Sequence, residues 1–349
     1  MTGFLVLEDG SVFHGRSVAA PGIAFGEAVF TTAMSGYQEI ATDPSFAEQL
    51  VCFTAPMIGN YGVSAHRSES ARVHAGAIMM RRASGEEWPR WLAEQGVVAL
   101  DEIDTRSLVL RLRDAGAMRA AAVSGEVSVG VVLAQVRAQL PMEGRALVAG
   151  VSTEAPYAIG PSGGPRVAVV DYGCKRSIVR RVVASGAQAV VFPHDVDAGA
   201  ILATRPAGVL LSNGPGDPAV LTAQISVVRD LLGRLPVLGI CLGHQLLALA
   251  AGYETFKLPF GHRGANHPVL ELATSCVLVT SQNHGFAVRG DGPEVTHVSL
   301  YDGTVEGIAL PGKHARSVQF HPEAGPGPHD AWPIVESWVE EGVASAKAA

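Results

Sequence analysis

Charge is scarce in this chain. Only 17% of its 349 residues are Asp, Glu, Lys or Arg, and the balance of −7 includes no basic block. That excludes a protein that works by reading nucleic-acid phosphates. Cysteine is scarce too. Cys52, Cys174, Cys241 and Cys276 form no C-x-x-C pair and no disulfide framework, so a reducing cytoplasm is expected. The start, MTGFLVLEDG, has no basic n-region and no long apolar core, so no signal peptide is read there. No run approaches the length needed to cross a bilayer, which argues against a membrane partner. There is no internal repeat and no low-complexity tract. SNGPGDP lacks the lysine and serine of a phosphate loop, and no dinucleotide fingerprint occurs. His262, His267 and His284 are not at zinc-ligand spacings and read as loop-shaping hydrogen bonders, so no metal is expected.

What is present is apolar surface, 48% of residues, and 40 glycines. Together with the length, that predicts two domains with substantial cores and many tight turns. The segment 152–165, STEAPYAIGPSGGP, reads as a linker. Before it, residues 1–151 read as an α+β domain rich in β-structure. FLVLEDGSVFHG predicts two strands joined by an Asp-Gly turn. EAVFTTA, QLVCFTAP and VHAGAIMM predict further strands, and helices are expected over 87–95 and 107–114. After it, residues 166–345 alternate short β runs with helical stretches, from RVAVVDYG through GVLLSNGPGD to PVLGI. That pattern predicts an α/β domain with a mainly parallel central sheet. Active groups then gather at the carboxyl ends of its strands.

One such end carries GICLGHQ, residues 239–245. Cys241 stands between two glycines, after the apolar Leu235-Pro236-Val237-Leu238 and before the helix-like HQLLALAAG. G-x-C-x-G is the thiol counterpart of the G-x-S-x-G elbow, where a strand turns sharply into a helix with the nucleophile on the corner. The glycines remove Cβ atoms that clash at the reversal. The helix N-terminus favours a thiolate. A lone cysteine is usually a buried structural residue; the flanking glycines at a strand-to-helix junction tilt the reading toward a nucleophile.

A thiolate needs a base. FHPE, residues 320–323, follows the strand-like ARSVQF, 80 positions after Cys241. Pro322 pushes His321 toward extended geometry. In an extended chain residues i and i+2 face the same side, so Glu323 can orient the imidazole. Alone, H-P-E reads as a surface pair, and its weight comes from the elbow. Cys, His and Glu then supply the logic of a catalytic triad. His244 is an alternative base by its closeness in sequence.

These motifs resemble the class I (triad) glutamine amidotransferases over roughly residues 166–340. SNGPGDP at 212–218, GHRGANHPV at 261–269, SQNHGFAV at 281–288 and HPEAGPGPHD at 321–330 narrow the resemblance. They are similar to the small, glutamine-hydrolysing subunits of carbamoyl phosphate synthetases. AMSGYQEIATDPSF at 33–46, GNYGV at 59–63 and DTRSL at 104–108 extend it across the N-terminal half.

The resemblance implies that Cys241 attacks the side-chain amide of L-glutamine, His321 carries the proton and Glu323 orients it. Leu242 N–H and Gly214 N–H are implied as oxyanion donors. Gly216, Gln245, Asn283, Gly285 and Phe286 are implied to line the glutamine pocket, with Ser45 reaching from the N-terminal domain. Read without the resemblance, SNGPGDP is a plain turn, Ser45 is a turn or cap residue and Asn283-His284-Gly285 is a tight turn. The family further implies no cofactor in this chain, with ATP and magnesium confined to a large partner subunit. It implies a heterodimer or higher oligomer that passes ammonia internally and feeds arginine and pyrimidine biosynthesis. The alternatives are an amidotransferase for chorismate or a purine nucleotide, a non-catalytic subunit, and a self-standing cysteine hydrolase.

Overall fold

The computed structural model describes residues 2–348, with side chains described through Gly342. The chain divides into two compact units, one of Met1–Glu143 with Pro259–Gly264, the other of Gly144–Leu258 with Ala265–Ala349.

The first unit is built on β1 (Thr2–Leu7), β2 (Val12–Ser17), β3 (Gly22–Thr31), β4 (Gln49–Phe53), β5 (Ala77–Met79), β6 (Val98–Asp101) and β7 (Met118–Ser124). They close into a barrel in the order β1-β2-β6-β5-β4-β3-β7. The pairs β3–β4, β4–β5 and β5–β6 are parallel and the others antiparallel. Residues two apart share a face, and Leu5 with Leu7, Leu50 with Cys52, Ala77 with Met79, and Ala120 with Ala122 fill one core. The opposite faces of β1 and β7 are buried as well. Phe4, Val6, Ala121 and Val123 pack against Val132 and Val136. Burial on both faces explains why FLVL and AAAV are unbroken apolar runs.

Helices α1 (Tyr37–Thr42), α2 (Glu87–Glu94), α3 (Thr105–Ala115) and α4 (Val129–Ala138) accompany the barrel. The last three bury pairs at helical i, i+4 spacing: Trp88 and Leu92, Leu108 and Leu112, Val132 and Val136. Asp104 caps α3 through Ser107 N–H at 3.1 Å.

The second unit carries β8 (Tyr157–Ile159), β9 (Arg166–Asp171), α5 (Arg176–Ala184), β10 (Gln188–Pro193), α6 (Ala198–Ala203), β11 (Gly208–Leu211), α7 (Thr222–Leu231), β12 (Val237–Ile240) and α8 (Leu242–Ala251). Then come β13 (Glu254–Glu271), β14 (Cys276–Arg289), β15 (Val295–Ser299), β16 (Val305–Leu310), β17 (Ala315–Val318) and α9 (Pro333–Ala348). The sheet order is β14-β13-β15-β16-β17-β12-β11-β9-β10-β8.

Its centre, β10-β9-β11-β12-β17, is wholly parallel. The flanks are antiparallel, so the expected parallel sheet describes the centre and the whole sheet is mixed. Alternation along β9 splits its side chains. Val167 and Val169 pack with Ile178 and Val182 of α5 and Val335 and Trp338 of α9. Ala168 and Val170 pack with Ile225 and Val228 of α7 and Leu242 and Leu246 of α8. The segment expected as a linker, 152–165, contains β8, which pairs antiparallel with β10 through Val190 and Ala158. No helix among the described residues is long and apolar enough to cross a membrane.

Candidate active site

Strand β12 runs directly into Cys241, and α8 starts at Leu242. Cys241 has φ 54° and ψ −105°, a region that costs a non-glycine residue about 1–3 kcal/mol and persists only where the surroundings enforce it. Here they do. A Cβ on Gly239 would sit 2.5 Å from Gly243 O, and one on Gly243 would collide with Leu211 O. Strand, corner and helix therefore lock together only with glycine at both positions. Cys241 N–H donates to Val318 O at 2.9 Å, tying the corner to β17. The thiol is buried, 2% exposed, and its Sγ donates to Asn283 O at 3.5 Å.

His321 follows β17. The expected strand ARSVQF ends early, at Val318. His321 forms an isolated bridge with Ser281, donating its N–H to Ser281 O at 2.9 Å. The chain then turns, with Ala324 N–H returning to His321 O at 3.2 Å. Pro322 has no N–H with which to continue a ladder, so a turn rather than strand alternation brings Glu323 beside His321. His321 Nδ1 and Glu323 Oε1 are 2.6 Å apart. The carboxylate accepts, so Nδ1 carries the hydrogen and Nε2 is left for chemistry. His321 Nε2 is buried with no hydrogen-bond partner among the described residues.

Burial and the nearby Lys175 charge push the His321 pKa down, but the charge and hydrogen bond of Glu323 and the close-lying Cys241 thiol together raise it, to about 10. Burial pushes Glu323 up, and Lys175 and His321 more than reverse this, holding it down at about 2. Sequence reasoning missed Lys175. Its Nζ lies 2.8 Å from Glu323 Oε1, and its N–H donates to Asn213 Oδ1 at 3.1 Å. It stands at the carboxyl end of β9, immediately before α5. Asp171 shapes that turn by accepting from Gly173 N–H and Cys174 N–H at 2.9 and 2.6 Å. A strand's carboxyl end was the available signal; a single lysine there offers no further mark. Trp332 Nε1 donates to Glu323 O at 3.2 Å, steadying the turn from behind.

The loop SNGPGDP comes onto the elbow. A Cβ on Gly214 would collide with Tyr172 O and lie 2.8 Å from Leu242 Cδ2. Asp217 anchors the loop, its N–H donating to Arg145 O and its Oδ2 accepting from Gly144 N–H, both at 2.9 Å. Gly216 backs onto Arg145 and Leu147. Leu242 N–H is the first amide of α8, among those an α-helix leaves without an intrahelical partner.

Gln245, one turn into α8, donates from Nε2 to Phe286 O at 2.8 Å and to Gln319 Oε1 at 3.0 Å. Asn283, Gly285 and Phe286 lie within β14, so the tight turn read at Asn283-His284-Gly285 is instead part of a long strand. Ser45 belongs to the first unit, in the short 3-10 turn Pro44–Phe46, where its N–H donates to Asp43 Oδ1 at 2.9 Å. His244, the alternative base, is fully buried beside Ser317 Oγ at 2.8 Å, and burial pushes its pKa down to about 3. It is a neutral core residue.

Two families match the chain. Residues 168–340 match the family described as "Glutamine amidotransferase class-I". Residues 5–122 match "Carbamoyl-phosphate synthase small chain, CPSase domain". Among curated proteins, the chain is 45% identical over 363 residues to the carbamoyl phosphate synthase small chain of Thioalkalivibrio sulfidiphilus, covering 96% of each. It is 45% identical over 352 residues to that of Chlorobaculum tepidum, again covering 96% of each. With the Yersinia pseudotuberculosis small chain the identity is 42% over 369 residues, covering 97% of this chain and 94% of the relative.

Proposed function

The chain belongs to the carbamoyl phosphate synthase small-chain family, and we propose on that premise that it hydrolyses glutamine through a thioester on Cys241 and passes ammonia to an ATP-using large chain. The observation that carries this reading is the buried array of Cys241, His321 and Glu323 at a strained strand-to-helix corner.

In this reading the raised basicity of His321 favours movement of the thiol proton onto its Nε2, leaving a thiolate beside an imidazolium. Sγ attacks the side-chain carbonyl carbon of glutamine. The oxyanion that forms is held by Leu242 N–H and Gly214 N–H, donors fixed in place before charge develops. As the C–N bond breaks, His321 returns its proton to the leaving nitrogen, and ammonia departs. Water, deprotonated by His321, cleaves the γ-glutamyl thioester to glutamate and free thiol. Glu323 keeps Nδ1–H pointed away from the reacting atoms throughout, and Lys175 keeps Glu323 ionised.

Gly216, Asn283, Gly285 and Phe286 would line the glutamine pocket with Gln245, and Ser45 would reach the amino-acid end of the substrate. Residues 1–151 would serve as the partner-facing domain and 166–345 as the amidotransferase domain. The chain would need no cofactor of its own, with ATP and magnesium acting in the large chain. The pair would work in the cytoplasm as a heterodimer or a higher assembly, supplying carbamoyl phosphate for arginine and pyrimidine synthesis. Reconstitution with a large chain tests the reading. Glutamine-dependent carbamoyl phosphate formation is expected, with a γ-glutamyl adduct on Cys241 recovered by acid quench. Absence of both glutamine hydrolysis and the adduct would refute it.

A further inference from the structure

Gln319 is fully buried and takes no part in the chemistry above. It follows β17 and is held there by its own N–H, which donates to Glu306 O at 2.8 Å. Its side chain meets the Gln245 amide, with Gln319 Oε1 3.0 Å from Gln245 Nε2.

A glutamine side chain offers two N–H donors and one carbonyl acceptor. Which way round it sits decides what it presents to a ligand. Here the answer is fixed by its neighbours. Phe286 O is a carbonyl and only accepts, so the Gln245 atom 2.8 Å away is the nitrogen. The same carbonyl receives His284 Nδ1 at 2.7 Å, and its two lone pairs are then both engaged. The second Gln245 N–H goes to Gln319 Oε1. Both donors of Gln245 are spent on the protein, and Oε1 is what remains. One of these bonds fixes where the nitrogen lies; the two together fix the plane of the amide and so the direction of its oxygen. Gln245 N–H bonds back to Cys241 O at 3.2 Å, which places this residue on the helix face that bears the nucleophile.

We infer that Gln319 is a positioning residue for substrate recognition: it locks the Gln245 amide so that Gln245 presents an acceptor, and only an acceptor, to an N–H donor of glutamine. The inference rests on the glutamine-hydrolysing reading and assigns Gln319 a role that acts wholly through Gln245. Without the Gln319 oxygen, one buried Gln245 N–H is left unpaired. The amide plane is then free to swing, and a donor turns toward a substrate that brings donors of its own.

A double-mutant cycle on the chain in complex with its large subunit tests this, using glutamine as the varied substrate. Gln319→Met keeps the volume and removes the acceptor. It is expected to raise KM about five- to tenfold, the scale of one neutral hydrogen bond, with a smaller effect on kcat. Gln319→Glu keeps an oxygen opposite Gln245 Nε2 and is expected to restore KM close to wild type. Gln245→Met raises KM by itself, and adding Gln319→Met to it should bring no further rise, because the locked group is gone. Should Gln319→Met fail to fold, Gln319→Asn draws the oxygen back by one methylene and should give the same KM rise. Additive effects of the two substitutions on KM overturn the inference. So does a Gln319 variant that lowers kcat and melting temperature while KM stays put, since that is the mark of packing alone. A wild-type complex that hydrolyses no glutamine would instead defeat the reading on which the inference stands.

Discussion

Lys175 Nζ lies 2.8 Å from Glu323 Oε1, and both side chains are shut away from water, 2% and 0% exposed. His321 Nδ1 reaches the same oxygen at 2.6 Å. One carboxylate oxygen thus serves two cationic partners. They compete in one respect, because Lys175 opposes a second positive charge on His321 while Glu323 favours it. Lys175→Met removes one partner of a buried pair, which typically costs about 3–5 kcal/mol. The melting temperature should fall, and the acid limb of the kcat/KM profile should move to higher pH as Glu323 becomes easier to protonate. A variant with wild-type stability and an unmoved acid limb would show the ion pair to be incidental.

Cys241→Ala should abolish glutamine hydrolysis while the fold survives, since the thiol is small and its bond to Asn283 O is long at 3.5 Å. Free ammonia bypasses this site, so a complex carrying Cys241→Ala should still make carbamoyl phosphate from ammonia. Normal glutamine-dependent synthesis by this variant would remove Cys241 from the mechanism. Loss of the ammonia-dependent reaction would mean structural damage instead.

His321→Asn and Glu323→Gln separate the proton carrier from its orienter. Positioned acid–base groups contribute about 10²–10⁴-fold, and the His321 loss should fall in or above that range. Glu323→Gln keeps an oxygen that can accept from Nδ1 but gives up the charge, so its loss should be smaller. Steady-state rates on the complex decide the order. Negligible losses at both positions would reopen the choice of base, although His244 is a poor substitute, held neutral by burial against Ser317.

The same pair leaves a signature in stability. His321, raised from 6.5 to about 10, contributes stability that is fully present below pH 6.5 and is lost as pH rises toward 10. Glu323, lowered from 4.5 to about 2, contributes stability present above pH 4.5 and lost as pH falls toward 2. The two contributions coincide between 4.5 and 6.5. The gap in melting temperature between wild type and His321→Asn should therefore be widest in that window and narrow steadily as pH is raised. A gap independent of pH would mean that the imidazole stabilises by packing and not by charge.

The elbow was legible because its physics is local. Two glycines must flank the corner for Gly243 to pass Leu211 O, and that requirement is written in adjacent residues. The neighbourhood of His321 and Glu323 was legible for a similar reason, although a turn after Pro322, closed by Ala324 N–H on His321 O, and not an extended chain brings the two together. Lys175 was not legible. Lysine is nearly always exposed, and the carboxylate that buries this one lies 148 positions away. Strand β14 was misread at Asn283-His284-Gly285 because Asn and Gly signal turns locally, whereas Asn283 and Phe286 sit in a long strand facing Cys241 and Gln245. Several of the barrel's strands follow from short apolar runs in the sequence, such as FLVL and QLVCF. Its closure depends on pairings such as Leu50 with Ala77, which no local pattern specifies.

Cys241 Sγ donates to Asn283 O, although the thiol also lies close enough to His321 to raise its basicity. The thiol hydrogen must therefore turn from Asn283 O to His321 Nε2 before the proton can transfer. Ammonia set free into water would become mostly ammonium, which has no lone pair for attack, so idle hydrolysis serves no synthetic purpose. Both considerations predict slow glutamine hydrolysis by the isolated chain and faster hydrolysis once the large chain is bound, with the change carried by kcat, since assembling the relay acts on the chemical step. Titrating the large chain into a glutaminase assay measures this directly, and the acceleration should be lost in His321→Asn. An isolated chain already at full rate and indifferent to the large chain would show that the relay needs no partner, and would remove the support for control of this site by the partner while leaving the thiol chemistry in place.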